Sequence, residues 1–193
     1  MKRQIRNNVF ETNSSSTHSI AIPNEVNTSL SYISFSIDEF GWSWEEADPA
    51  DYFYTAIYEV SPTIEEANDK ISRLKEILES NDIKYTLGEV RYQEFEHNGH
   101  KYLSLDNGYI DHSEDLIAFV EELLNDEDKL LRFLGGGLVF TGNDNSSAEQ
   151  RTFINRDQEY LDDYDFTSNK TSKIENPYYM SNHTDYEWYW KGN

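Results

Sequence analysis

Ile64, Ala67, Ile71, Leu74, Ile77 and Leu78 recur at three- and four-residue steps behind Thr63-Ile64-Glu65-Glu66, and this pattern constrains the fold more tightly than any other in the chain. Thr63 and Glu66 stand at capping-box spacing, in which the Thr hydroxyl accepts from the N–H three residues on. Ser61-Pro62 offers an alternative start, with Ser as cap and Pro at the first helical position. Either way the helix carries a single apolar stripe, and a stripe needs a surface to cover. The simplest such surface is a sheet, with Arg73 and Lys75 left in solvent.

Strands to build that sheet can be read on both sides of the helix. Ser19-Ile20-Ala21-Ile22 ends at Pro23-Asn24 as a short strand, and Leu30 to Ile37 alternates β-branched and aromatic residues with serine. Ile83 to Leu87 predicts another strand, and Glu89 to Glu96 with Lys101 to Leu105 flank Asn98-Gly99 as a hairpin. Asp48-Pro49 opens a helix over Ala50 to Val60. Ser113 caps a helix through Leu124 that places Leu116, Ile117, Phe119, Val120, Leu123 and Leu124 on one face. Asp126 caps a further helix that stops before Gly135-Gly136-Gly137, where strand Leu138 to Thr141 begins. Together these predict an α+β fold, a mostly antiparallel sheet with three or four helices packed on one side.

Residues 1–154 are expected to form that single α+β domain, and residues 155–193 an acidic, aromatic-rich C-terminal extension. In the extension Asp157, Glu159, Asp162, Asp163 and Asp165 interleave with Tyr160, Tyr164 and Phe166, and Tyr178, Tyr179, Tyr186, Trp188, Tyr189 and Trp190 follow. Disordered segments are poor in aromatic residues, so this stretch is expected to wrap the domain or dock on a partner.

The chemistry concentrates near the amino terminus. Val9-Phe10-Glu11-Thr12-Asn13-Ser14-Ser15-Ser16-Thr17-His18-Ser19-Ile20 sets hydroxyl residues, a carboxylate, a carboxamide and an imidazole between two apolar ends. Asn and Ser side chains bond nearby backbone groups in turns, and successive N–H groups of such a turn form a concavity for an anion such as phosphate. His18 exchanges a proton near neutral pH, and Glu11 is placed to orient it or act as a base. The later run Gly142-Asn143-Asp144-Asn145-Ser146-Ser147 follows a strand and brings Asn143 and Asp144 to the same site if the two runs meet. The candidate catalytic residues are therefore Glu11, Asn13, His18 and Asp144. Arg6, Ser14, Ser15, Ser16 and Asn143 are the candidate binding residues. The plainer alternative is a pair of turns, with His18 satisfied by a backbone carbonyl.

The stretch Arg6 to Ile20 also resembles the amino-terminal signature of a group of mostly uncharacterised proteins of Gram-positive phages and mobile elements. It is similar to some anti-CRISPR proteins aimed at Cas9. The resemblance implies a host-defence antagonist that inhibits a nucleic-acid-guided effector such as Cas9 and causes guide RNA to be lost. It carries over no functional residue.

Charge narrows the partners. The 193 residues carry a formal net charge of -21, which argues against a broad basic face for free nucleic acid or duplex DNA. Between Arg6 and Lys70 there is no Lys or Arg, while Asp38, Glu39, Glu45, Glu46, Asp48, Asp51, Glu59, Glu65, Glu66 and Asp69 fall in that gap. Such a field can steer the chain to a basic nucleic-acid-binding protein, possession of a guide RNA included; the alternative is a surface kept soluble by excess acid.

Several classes drop out. Cysteine is absent, which removes disulfides and thiolate chemistry and fits a reducing cytoplasm. No stretch approaches a membrane span, so a soluble, unprocessed cytoplasmic protein of the host cell is expected. The triple glycine lacks the Gly-Lys-Ser/Thr of a phosphate loop, and no Gly-x-Ser-x-Gly elbow supports a Ser-His-Asp hydrolase. His97 and His100 flank a turn without a carboxylate set, so neither a metal site nor a cofactor is expected. Two functions stay open. One is an inhibitor whose acidic, aromatic surface occupies a basic groove. The other is a small phosphoryl-handling enzyme, a metal-independent ribonuclease or nucleotide-binding protein, working through the amino-terminal Asn/Ser/His run.

Overall fold

A computed structural model describes residues 16–25, 29–41, 43–111, 116–143, 153, 155–165, 167–180 and 185–191. In chain order the elements are β1 (Ser16–Pro23), β2 (Tyr32–Phe35), β3 (Glu39–Phe40), β4 (Glu45–Ala47), α1 (Pro49–Glu59), α2 (Ile64–Ser80), β5 (Lys84–Leu87), β6 (Tyr92–His97), β7 (His100–Leu105) and β8 (Tyr109–Ile110). They continue with α3 (Leu116–Asn125), α4 (Glu127–Gly136), β9 (Leu138–Asn143), β10 (Tyr160–Asp165), β11 (Lys170–Glu175) and β12 (Tyr186–Lys191). The main sheet has the order β12-β1-β9-β4, and each neighbouring pair is antiparallel. The fold is thus α+β with an antiparallel main sheet. Two smaller pairings, β2 with β5 and β3 with β8, are parallel.

β1 lies between two strands and is buried on both faces. His18, Ile20 and Ile22 project to one side and Ser19 and Ala21 to the other, all within 1 % of complete burial. A strand covered on both faces reads as a continuous apolar run rather than an alternating one, and Ile20-Ala21-Ile22 is such a run. The first face meets α1 and α4. On the opposite face Phe140 packs edge-on against Phe153, their ring centroids 5.5 Å apart, and Phe153 in turn packs on Trp44 and Tyr178.

α1, rather than α2, is the helix around which the core is built. Asp48 caps it by accepting from the N–H groups of Ala50 and Asp51, and Pro49 stands in the first turn. Ala50 and every residue from Tyr52 to Tyr58 are buried, so the helix is covered nearly all round. Phe53 meets Phe119 and Phe133 in edge-to-face pairs, which ties α1 to α3 and α4. α2 starts where the capping box places it, Thr63 accepting from Glu66 N–H at 3.2 Å. Its stripe packs chiefly on α1, α3 and β5 rather than on the main sheet.

β1 starts three residues before the expected Ser19 and β9 runs two residues past Thr141, so the end of the hydroxyl run is strand rather than turn. Three other expected boundaries move for a local reason. The strand expected over Leu30 to Ile37 is confined to β2, because Asp51 Oδ1 and Thr55 Oγ1 of α1 accept from the N–H groups of Ser36 and Asp38. The turn at Asn98-Gly99 forms with both residues at positive φ, 52° and 78°, but its first strand begins at Tyr92. The last helix runs through two of the three glycines and stops at Gly137. Gly137 has an ordinary φ of -61°; a Cβ there would sit 2.5 Å from Phe133 O and 2.6 Å from the Phe133 ring, so close packing selects the glycine. The Ser113 cap lies outside the described residues.

Part of the 155–193 stretch is woven into the sheet. β12 pairs with β1 from His18↔Lys191 to Pro23↔Tyr186, and β10 and β11 form a hairpin of their own. Lys129 of α4, 6 % exposed, donates to Glu122 of α3 at 2.6 Å and to Glu187 of β12 at 2.8 Å. Arg156 lies over the Phe140 ring at 3.9 Å and the Phe153 ring at 4.4 Å, clipping the chain after Phe153 onto the second face of the sheet.

Candidate functional site

The two polar runs adjoin at one end of the main sheet. β1 and β9 pair with Ser16 opposite Asn143, Thr17 opposite Gly142 and His18 opposite Thr141. The backbone therefore brings the end of the hydroxyl run beside the start of the Gly142–Ser147 run. Arg6, Glu11, Asn13, Ser14, Ser15 and Asp144 lie outside the described residues, so the described part of the candidate site consists of Ser16, His18 and Asn143.

His18 is fully buried. Its Nε2 lies 2.9 Å from the backbone carbonyl oxygen of Asp111, and its Nδ1 lies 3.2 Å from the Tyr52 hydroxyl. A carbonyl only accepts, so Nε2 carries hydrogen and donates to it; in the singly protonated ring Nδ1 is the acceptor that faces the Tyr52 hydroxyl. This is the held histidine of the plainer alternative, with the carbonyl coming from a residue 93 positions away. The imidazole joins β1 to α1 and to the chain just past β8. Beside it, Thr141 Oγ1 donates to Ser43 O at 3.2 Å. On the other face of β1 the buried Ser19 hydroxyl has no hydrogen-bond partner among the described residues.

Carboxylates gather around the first turn of α1. Burial pushes the Asp51 carboxyl up, the Ser36 N–H pulls it back, and Asp48 and Asp38 push it up again. Burial, then the charge of Asp38, also raises Glu45, against a lowering hydrogen bond with Thr141. The ion pairs among the described residues fall elsewhere: Arg73 with Glu76, Lys129 with Glu122 and Glu187, Arg132 with Asp128, and Arg156 with Glu46. Asp38, Glu45, Asp48 and Asp51 thus form an acidic cluster with no ion-pair partner among the described residues.

A second acidic feature lies at the other end of α1. Glu59 is exposed at the rim of a cleft of about 570 Å³ shared with Ile110, Leu116, Ile117 and Glu121. The protein around its carboxyl, and then the charge of Asp111, push it up to about 7.

Among the described residues no group of three His, Asp or Glu gathers as a metal site, and no helix is long and apolar enough to cross a membrane. His97 and His100 face each other as exposed register partners at their turn. Tyr52 and Asp111 are the participants that sequence reasoning missed, and Glu59 reads in the sequence only as one acid of the charged stretch. Tyr52 stands among the aromatic residues of a predicted helix, but nothing in its neighbourhood pairs it with an imidazole 34 positions away. Comparison of the chain with protein-family models, curated proteins and solved structures found no match.

Proposed function

We propose that the protein is a host-defence antagonist of the kind carried by phages and mobile elements, acting in the host cytoplasm by docking an acidic surface on a nucleic-acid-guided effector such as Cas9. The observation that carries this reading is the cluster of Asp38, Glu45, Asp48 and Asp51, which has no ion-pair partner among the described residues, in a chain of net charge -21. Clustered carboxylates repel one another in the free protein, and a basic groove relieves that repulsion on binding. The resemblance of Arg6 to Ile20 to anti-CRISPR proteins supplies the class of effector.

A phosphoryl-handling enzyme built on the amino-terminal run is the second reading, favoured by the pairing of Ser16 with Asn143. It ranks lower because both ring nitrogens of His18, its intended proton carrier, are engaged inside the fold. The test is to incubate the protein with a Cas9-type effector and labelled guide, assay target cleavage, and run the guide on a denaturing gel. Lost cleavage with intact guide is the expected outcome of docking. Shortened guide would move the proposal to the enzyme.

A further inference from the structure

The cleft at the carboxy-terminal end of α1 combines two chemistries that few ligands match. Its floor includes Ile110 and Leu116, each 6 % exposed, and its rim carries Ile117, which leaves 59 % of its surface in solvent. Glu59 and Glu121 stand on the same lining, and neither has an ion-pair partner among the described residues. An exposed isoleucine on one lining with two carboxylates suits a group that is aliphatic along its length and cationic at its end.

We infer that this cleft seats an arginine side chain of a basic protein partner, its methylenes against Ile110, Leu116 and Ile117 and its guanidinium between Glu59 and Glu121. Arginine fits better than lysine because its planar, weakly hydrated head tolerates a partly apolar site and can serve two carboxylates at once. The charge of Asp111 beside Glu59 adds to the attraction and helps to explain the raised Glu59 carboxyl, which a bound cation would bring back down. This inference rests on the reading that the partner is a basic protein, and it gives that reading a specific anchor. Enrichment of arginine at the energetic centres of interfaces makes such a seat worth more than its area.

The probe is a fluorescein-labelled nona-arginine peptide titrated by anisotropy against the full-length protein at physiological salt. Removal of two carboxylates anywhere weakens a purely long-range attraction, so the control is charge-matched: Glu59→Gln/Glu121→Gln against Glu96→Gln/Glu175→Gln, the latter pair exposed on strands outside the cleft. A seated arginine predicts about a tenfold loss for the cleft pair and under about twofold for the control, with Ile117→Ser weakening binding by about threefold through lost apolar contact. Equal losses for the two pairs, or no effect of Ile117→Ser, would overturn the inference, as would a wild-type protein that does not bind the peptide. Thermal melts of each variant establish that the fold is intact. Capture of a guide-loaded effector separates the two levels. An effector held equally well by wild type and by the cleft pair sinks the seat alone, whereas selective peptide binding without effector capture leaves the seat standing and sinks the effector reading.

Discussion

His18 holds three parts of the chain at one imidazole, through its own strand β1, the Tyr52 hydroxyl of α1 and the Asp111 carbonyl beyond β8. Replacing it with alanine takes a hydrogen-bonding partner from two groups inside the fold and leaves a hole. His18→Ala is therefore expected to lower stability by about 1 to 3 kcal/mol in urea denaturation, and any inhibitory activity to fall only with the folded fraction. A stably folded His18→Ala protein that has lost activity would instead assign the ring a chemical role. Glu59 makes a prediction of opposite character. Its folded-state carboxyl is raised to about 7, so the native state holds this proton longer than the unfolded chain, and ionisation opposes folding as pH climbs from the ordinary carboxylate range through about 7. Glu59→Gln should then melt above wild type near about pH 8, and the gap should close as pH falls below about 4, where the Glu59 carboxyl is neutral in the folded and the unfolded chain alike. A gap independent of pH would mean that the carboxyl titrates normally. Such residue-level roles were only partly legible in the chain. A held histidine in the run could be read, but its partners lie 34 and 93 positions away, and only the folded topology pairs them.

At the scale of elements, legibility followed the strength of local rules. The starts of α1, α2 and α4 are set by Asp48-Pro49, Thr63-x-x-Glu66 and Asp126, whose side chains meet N–H groups a few residues on, so sequence alone places them well. β3, β4 and β8 are two or three residues long and show no periodicity to read. The central position of α1 was hidden for another reason. Its buried Tyr, Phe, Ala and Ile residues surround the helix, so no broad polar face marks which side is inner. β12 was equally hidden, since its aromatic residues among acids read as an interface, and the sheet proves to be one of the surfaces it joins. Lys129 is the tie that holds this strand to the helices. Lys129→Ala returns Glu122 and Glu187, half in solvent already, to water, so the global cost is small, about 1 kcal/mol. Its local effect is expected to be larger. Hydrogen exchange should quicken at residues 186–191 while β9 stays protected, and uniform protection across both strands would show that β12 is held by its pairing with β1 alone. Gly137→Ala tests the packing account of the third glycine, since a methyl 2.5 Å from Phe133 O forces α4 to shift, with an expected loss of about 1 to 3 kcal/mol.

For the whole molecule, the arrangement of charge matters more than its total. Three cations of the described residues serve structural ends: Lys129 joins α3, α4 and β12, Arg156 clips the later chain to the sheet, and Arg132 donates to Pro23 O and Asp128. The acids near the first turn of α1 and in the cleft at its far end have no ion-pair partner among the described residues, so both ends of the central helix carry exposed acid. A partner with a basic groove would meet both. The most direct measurement is capture of a guide-loaded Cas9-type effector by the full-length protein across rising salt, beside Asp38→Asn/Glu45→Gln, which leaves the α1 cap untouched. The docking account predicts a complex at low salt that dissolves as salt screens it, weakened by about tenfold or more in the variant. Absence of any complex at low salt, with guide or without, or a complex indifferent to both salt and the two substitutions, would contradict it.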